Sequence, residues 1–96
     1  MIKLYMYKNF LQEEWHMYTT IICQKLDKRN CFLIAKYGDE DLKLQFKIPF
    51  FKTKRKIWIF VHEVQRKFNK KGFNVTGSQV SSAICAVYAD IPYVYY

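Results

Sequence analysis

A chain of 96 residues is long enough for one domain and too short for two. Half of it is apolar (51%) and 19% is aromatic, so a core can form without metal or disulfide support, and two prolines with three glycines exclude a low-complexity coil. The formal charge of +8 at pH 7 excludes a neutral surface and lies in one half of the chain: residues 1–42 balance six cations with six carboxylates, whereas residues 43–96 set ten cations against Glu63 and Asp90 alone.

The N-terminal stretch alternates Ile2, Leu4 and Met6 with Lys3, Tyr5 and Tyr7, which predicts a short strand over residues 2–7. Asn9 is placed to cap a helical turn over residues 9–16. Residues 17–26 are β-branched and aromatic, as a strand requires. The tetrad Asp27, Lys28, Arg29 and Asn30 has turn chemistry. Residues 31–37 form the return strand, and their unbroken apolar run predicts burial on both faces. After a second turn at Gly38, the alternation of Leu42, Leu44, Phe46 and Ile48 with Lys43, Gln45 and Lys47 marks a half-buried strand, ended by Pro49.

From Thr53 the period becomes helical. Ile57, Phe60, Val61, Val64 and Phe68 make one stripe, and Lys70, Lys71 and Gly72 are a stop signal. A second helix is capped by Thr76 or Ser78, with Val80, Ala83, Ile84, Val87 and Tyr88 as its stripe. Pro92 ends it before an apolar tail or edge strand at residues 93–96. The fold class is therefore α+β: one domain over residues 1–96, with a small three-stranded antiparallel meander followed by a two-helix unit.

The three cysteines, Cys23, Cys31 and Cys85, are odd in number and include no Cys-x-x-Cys pair, so no disulfide framework is expected. No run approaches ~18 apolar residues, and the N-terminus has no secretory pattern. A reducing intracellular compartment, cytoplasmic or organellar, follows as an expectation, with no membrane partner.

Chemistry concentrates in the basic half. Lys52, Lys54, Arg55 and Lys56 are four cations in five residues, at a helix start where they oppose the dipole. Helix stability does not explain them; a polyanion does, because neutralised phosphates release counterions. Lys43 and Lys47 precede the cluster, and Arg66, Lys67, Lys70 and Lys71 follow it. The bland alternative is a solvated basic face. Tyrosine and tryptophan side chains beside these cations are candidates for stacking on bases, with Tyr93, Tyr95 and Tyr96 the expected exposed ones.

The segment from Asn74 to Ile84 resembles the turn and recognition helix of helix-turn-helix DNA-binding modules. Val75, Val80 and Ile84 match its apolar positions and Thr76 its cap. Asn74 departs where glycine is usual, and Lys70 where the preceding helix buries alanine. The resemblance implies that Ser78, Gln79, Ser81 and Ser82 face bases in a major groove. A ribbon-helix-helix reading, with Lys43, Gln45 and Lys47 on a groove-entering strand, is the lesser alternative.

Catalysis finds no support in the residues. His16 and His62 have no ligand or carboxylate at useful spacing, and no Gly-rich phosphate loop occurs. No cofactor, metal or catalytic residue is expected. The reading is a small non-enzymatic nucleic-acid-binding protein, DNA ahead of RNA, with a homodimer as a further expectation. The alternatives are a structural ribonucleoprotein component, such as a ribosomal protein, and an inhibitor or adaptor for an acidic protein.

Overall fold

The computed structural model describes residues 18–95. The strand expected at residues 2–7 and the helical turn at 9–16 lie outside the described residues. Three strands form first: β1 (Thr20–Lys25), β2 (Asn30–Tyr37) and β3 (Glu40–Lys47). Two helices follow, α1 (Lys54–Lys70) and α2 (Gly77–Val87). The sheet order is β1-β2-β3, antiparallel throughout, so the α+β meander and two-helix unit are both present.

Turn chemistry sets the register. In the first turn, Asp27 Oδ1 accepts from the backbone N–H groups of Arg29 and Asn30 at 2.8 and 2.7 Å. The Asn30 amide adds bonds to both carboxylate oxygens. These bonds, that of the Asn30 amide foremost, hold the Asp27 carboxyl below its ordinary value. The second turn is a two-residue hairpin closed by the Tyr37–Glu40 pair. Gly38 has φ +61° there, a conformation that favours glycine at the first position of a II′ turn.

With the register fixed, the two sheet faces differ. Cys31, Leu33, Ala35 and Phe46 point to the core with the partly buried Ile21, Cys23, Leu42 and Leu44. The paired rows Ile22–Ile34–Lys43 and Gln24–Phe32–Gln45 point the other way. The expected two-sided burial of β2 is thus corrected. Both helices cover the same face, and Phe32 and Ile34 remain half-exposed on the other.

α1 begins at Thr53, whose hydroxyl accepts from Lys56 N, and its first turn holds no acid. It ends in a Schellman motif: Phe73 N donates to Phe68 O and Gly72 N to Asn69 O, with Gly72 at φ +91°. Its stripe (Ile57, Phe60, Val61, Val64 and Phe68) is buried as the period predicts. Phe46 of β3 meets Phe60 edge-on and Phe68 at a tilt, each with centroids 6.1 Å apart.

α2 is opened by a capping box between Thr76 and Gln79 and lies against β1. Val87, expected in its buried stripe, is instead exposed as the last residue of the helix, whereas Tyr88, the C-cap after it, is buried as expected. Residues 91–95 form no edge strand. They pass irregularly over the start of α2, where a Cβ on Gly77 would lie 2.5 Å from the Tyr95 ring.

Tyr88, immediately after α2, ties the helices to the first hairpin. It is 1% exposed, and its hydroxyl lies 2.8 Å from Asp27 O and 2.9 Å from Asn30 O, sharing one proton between them. Burial pushes its pKa from 10.0 up to about 12. A raised folded pKa means the stabilisation is complete below pH 10 and is lost as pH rises toward 12. We expect Tyr88→Phe to lower the free energy of unfolding by about 1–2 kcal/mol at neutral pH. Urea melts of both proteins across pH 8–12 should show wild type converging on the variant at the alkaline end.

Candidate functional site

Among the described residues, β3 has a hydrogen-bonded neighbour on one side only. Lysines on a strand edge discourage pairing with another strand. Here the lysines of β3 stand beside those of α1. Lys67, Lys70 and Lys71, on the last turn of α1 and its cap, line a groove of about 480 Å³ with Leu44, Gln45 and Phe46 of β3. Lys67 Nζ lies 5.5 Å from the Phe46 ring centroid. At the other end of α1, Lys56 and Lys47 border a second hollow with Pro49, Ile59, Phe60 and Glu63. Two sequence-distant basic clusters therefore flank one strand edge.

The outer sheet face continues this surface. Lys43 Nζ stands 4.2 Å from the Phe32 centroid, an aromatic ring left half-exposed on the central strand. Gln24 and Gln45 flank Phe32 in its cross-strand row. A cation on a ring beside amides is suited to a planar or anionic ligand.

Charge compensation is sparse. Among the described residues, one salt bridge forms, from Lys52 Nζ to Asp90 at 2.6 Å. It holds the Asp90 carboxyl below its ordinary value. Lys52, expected to hold phosphate, is thus engaged within the protein. Lys43, Lys47, Lys54, Arg55, Lys56, Arg66, Lys67, Lys70 and Lys71 make no salt bridge among the described residues, and all nine are exposed. Lys54 and Arg55 diverge from the β3 edge and line a shallow hollow with Trp58 and Val94.

The side chains expected to face bases from α2 are arranged otherwise. Ser81 is 1% exposed, and its Oγ accepts from Val94 N at 3.3 Å. Gln79 spends its amide inside the fold: Oε1 accepts from Thr76 N, and Nε2 donates to Thr19 O. Ser78 shares a 2.8 Å hydrogen bond with the Tyr93 hydroxyl. Ser82 is exposed but lies in a shallow hollow between α2 and β1. The segment carries no charged residue from Asn74 through Ala89, so the helix brings no cation of its own.

Sequence reasoning missed the most exposed aromatic pair. Phe50 and Phe51, between β3 and α1, are 70% and 62% exposed. Tyr93 and Tyr95, expected outside, are half-buried instead, and Tyr96 lies outside the described residues. Tyr95 packs near His62 and Gly77, and its hydroxyl is buried without a partner. A Phe-Phe pair directly after a strand-ending proline and before a basic cluster was the available signal, since a connection has no core face to receive both rings.

Cys23, Cys31 and Cys85 are free thiols; the hydrogen bond shared with Cys31, and then burial, pushes the Cys23 thiol upward, and the same bond lowers that of Cys31. Among the described residues, no three His, Cys, Asp or Glu side chains gather at metal-binding range, and no helix is long and apolar enough to cross a membrane. The chain matches no known protein-family model, no curated protein and no solved structure.

The engagement of Gln79 makes it a fold residue. We expect Gln79→Ala to cost about 1 kcal/mol of stability, measured by chemical denaturation, through loss of the cap and of the bond to Thr19. Its affinity for any polyanion, measured where it remains folded, should equal that of wild type.

Proposed function

We propose that this protein is a non-enzymatic nucleic-acid-binding module. Its contact surface runs along the β3 edge and the flank of α1 and extends onto the open sheet face. The observation that carries this reading is the row of exposed cations along the β3 edge, without salt bridges among the described residues: Lys47 and Lys56 at one end, Lys67, Lys70 and Lys71 at the other. Along α1, Lys56 and Lys70 are separated by about 20 Å at 1.5 Å per residue. That length suits an extended polyanion with repeating charges better than a compact anion.

Physical scale supports the same choice. Two like charges 4 Å apart in water repel by about 1 kcal/mol, and salt screens them beyond about 10 Å. The nine exposed cations of the basic half therefore cost the fold little. Each phosphate they neutralise releases condensed counterions, which makes binding favourable and dependent on salt. Lys43 over Phe32, beside Gln24 and Gln45, adds a surface able to meet sugar or base.

A duplex-reading α2 receives less support, because Gln79 and Ser81 are turned to internal partners. A role within a ribonucleoprotein is compatible with the same basic strip. An acidic protein partner would need carboxylates spaced along that length.

The test is fluorescence anisotropy with labelled duplex DNA, single-stranded DNA and structured RNA over a salt series. The variant Lys67→Gln/Lys70→Gln/Lys71→Gln should bind more weakly and reduce the slope of log K against log salt by about 2–3. Equal slopes for variant and wild type would remove this strip from the interface. Absence of binding to all three probes at low salt would overturn the reading.

A further inference from the structure

The connection between β3 and α1 presents apolar surface that the fold has not used. Fully burying a phenylalanine side chain stabilises a protein by roughly 1.5–3 kcal/mol, yet Phe50 and Phe51 both remain outside. They form a unit. Their rings meet edge to face with centroids 5.2 Å apart. Each also has a cation at its ring: Arg29 lies 5.5 Å from the Phe50 centroid, and Lys56 Nζ lies 5.1 Å from that of Phe51. Arg29 is held there by the bond from its Nε to Ile48 O. Lys47 and Lys56 line the adjoining hollow.

Resting on the nucleic-acid reading above, we infer that Phe50 and Phe51 are a stacking platform for unpaired bases of a single-stranded nucleic acid, with Arg29, Lys47 and Lys56 taking the flanking phosphates. The chemistry selects this ligand. A single strand offers exposed π-faces and phosphates in alternation, and the platform offers rings and cations in alternation. A duplex keeps its base faces stacked and presents only edges and backbone. An anionic membrane would also accept aromatics ringed by lysine. The cations here instead continue away from the rings along α1 to Lys67, Lys70 and Lys71, as a strand would follow them.

The experiment compares a labelled oligothymidylate with a duplex of matched length, using Phe50→Leu/Phe51→Leu and Phe50→Trp/Phe51→Trp. Both sites are exposed, and thermal melts should show both variants folded. Leucine keeps the apolar surface and removes the π-face; tryptophan keeps both. The leucine variant should bind oligothymidylate about tenfold more weakly at fixed salt, with the salt slope unchanged, while the tryptophan variant matches or exceeds wild type. Duplex affinity should stay the same in all three proteins.

Unchanged oligothymidylate binding in the leucine variant would overturn the platform. If the Lys67/Lys70/Lys71 variant still weakens binding in that case, the nucleic-acid reading survives without it. Binding of wild type to phosphatidylserine vesicles but to neither oligonucleotide, retained by the leucine variant, would overturn both and assign the loop to a membrane surface.

Discussion

Phe46 sits against Phe60 and Phe68, and the remaining arrangement follows from that joint. A strand with alternating side chains and a helix with a 3.6-residue period share one apolar interface only if each turns its polar side outward. On β3 the outward residues are Lys43, Gln45 and Lys47; on α1 they include Lys56, Arg66, Lys67 and Lys70. Packing the rings together therefore draws both sets of cations beside one strand edge. The hydrophobic contact that stabilises the domain is also what concentrates its charge.

The concentration is tolerated because the supporting interactions lie elsewhere. Thr53 caps α1 where its own first turn is cationic, and the Schellman closure at Gly72 fixes the exit. Lys67 and Lys70 at the C-terminal end interact favourably with the helix dipole. Tyr88 joins the end of α2 to the first hairpin, in which Asp27 organises the turn. None of these interactions requires the exposed lysines to find carboxylates, and the single salt bridge among the described residues, Lys52–Asp90, lies apart from the groove.

The α2 region shows how a local pattern can be satisfied by structure alone. A cap, polar residues and a regular apolar stripe also describe a helix docked against a strand, as α2 is against β1. The serine and glutamine side chains close that docking: Gln79 to Thr19, Ser78 to Tyr93, Ser81 to Val94. Small side chains such as Ser81 and Ala83 leave room for β1 and the tail to approach. Sequence spacing alone does not separate a groove-facing helix from one covered by its own chain, because the covering residues 91–95 are distant in sequence from β1.

By itself the sequence determined the elements and their polarity. Two periodicities, the turn residues at Asp27 and Gly38, the cap at Thr76 and the stop at Gly72 act over a few residues, and each is legible without knowing the fold. Total charge and its division between the halves were equally readable, since they need only counting. Tertiary structure decided what those local rules leave free. Both helices cover the same sheet face, which leaves Phe32 half-open although its strand reads as wholly buried. Lys52 finds Asp90 from 38 positions away, and Ser81 receives Val94 from 13. Phe50 and Phe51 stay outside while Tyr93 and Tyr95 turn partly inward, because the space beside Gly77 is shaped by two segments that meet only when folded. Apolar surface fixes how much must be buried; which rings are buried depends on the gaps left once strands and helices have packed.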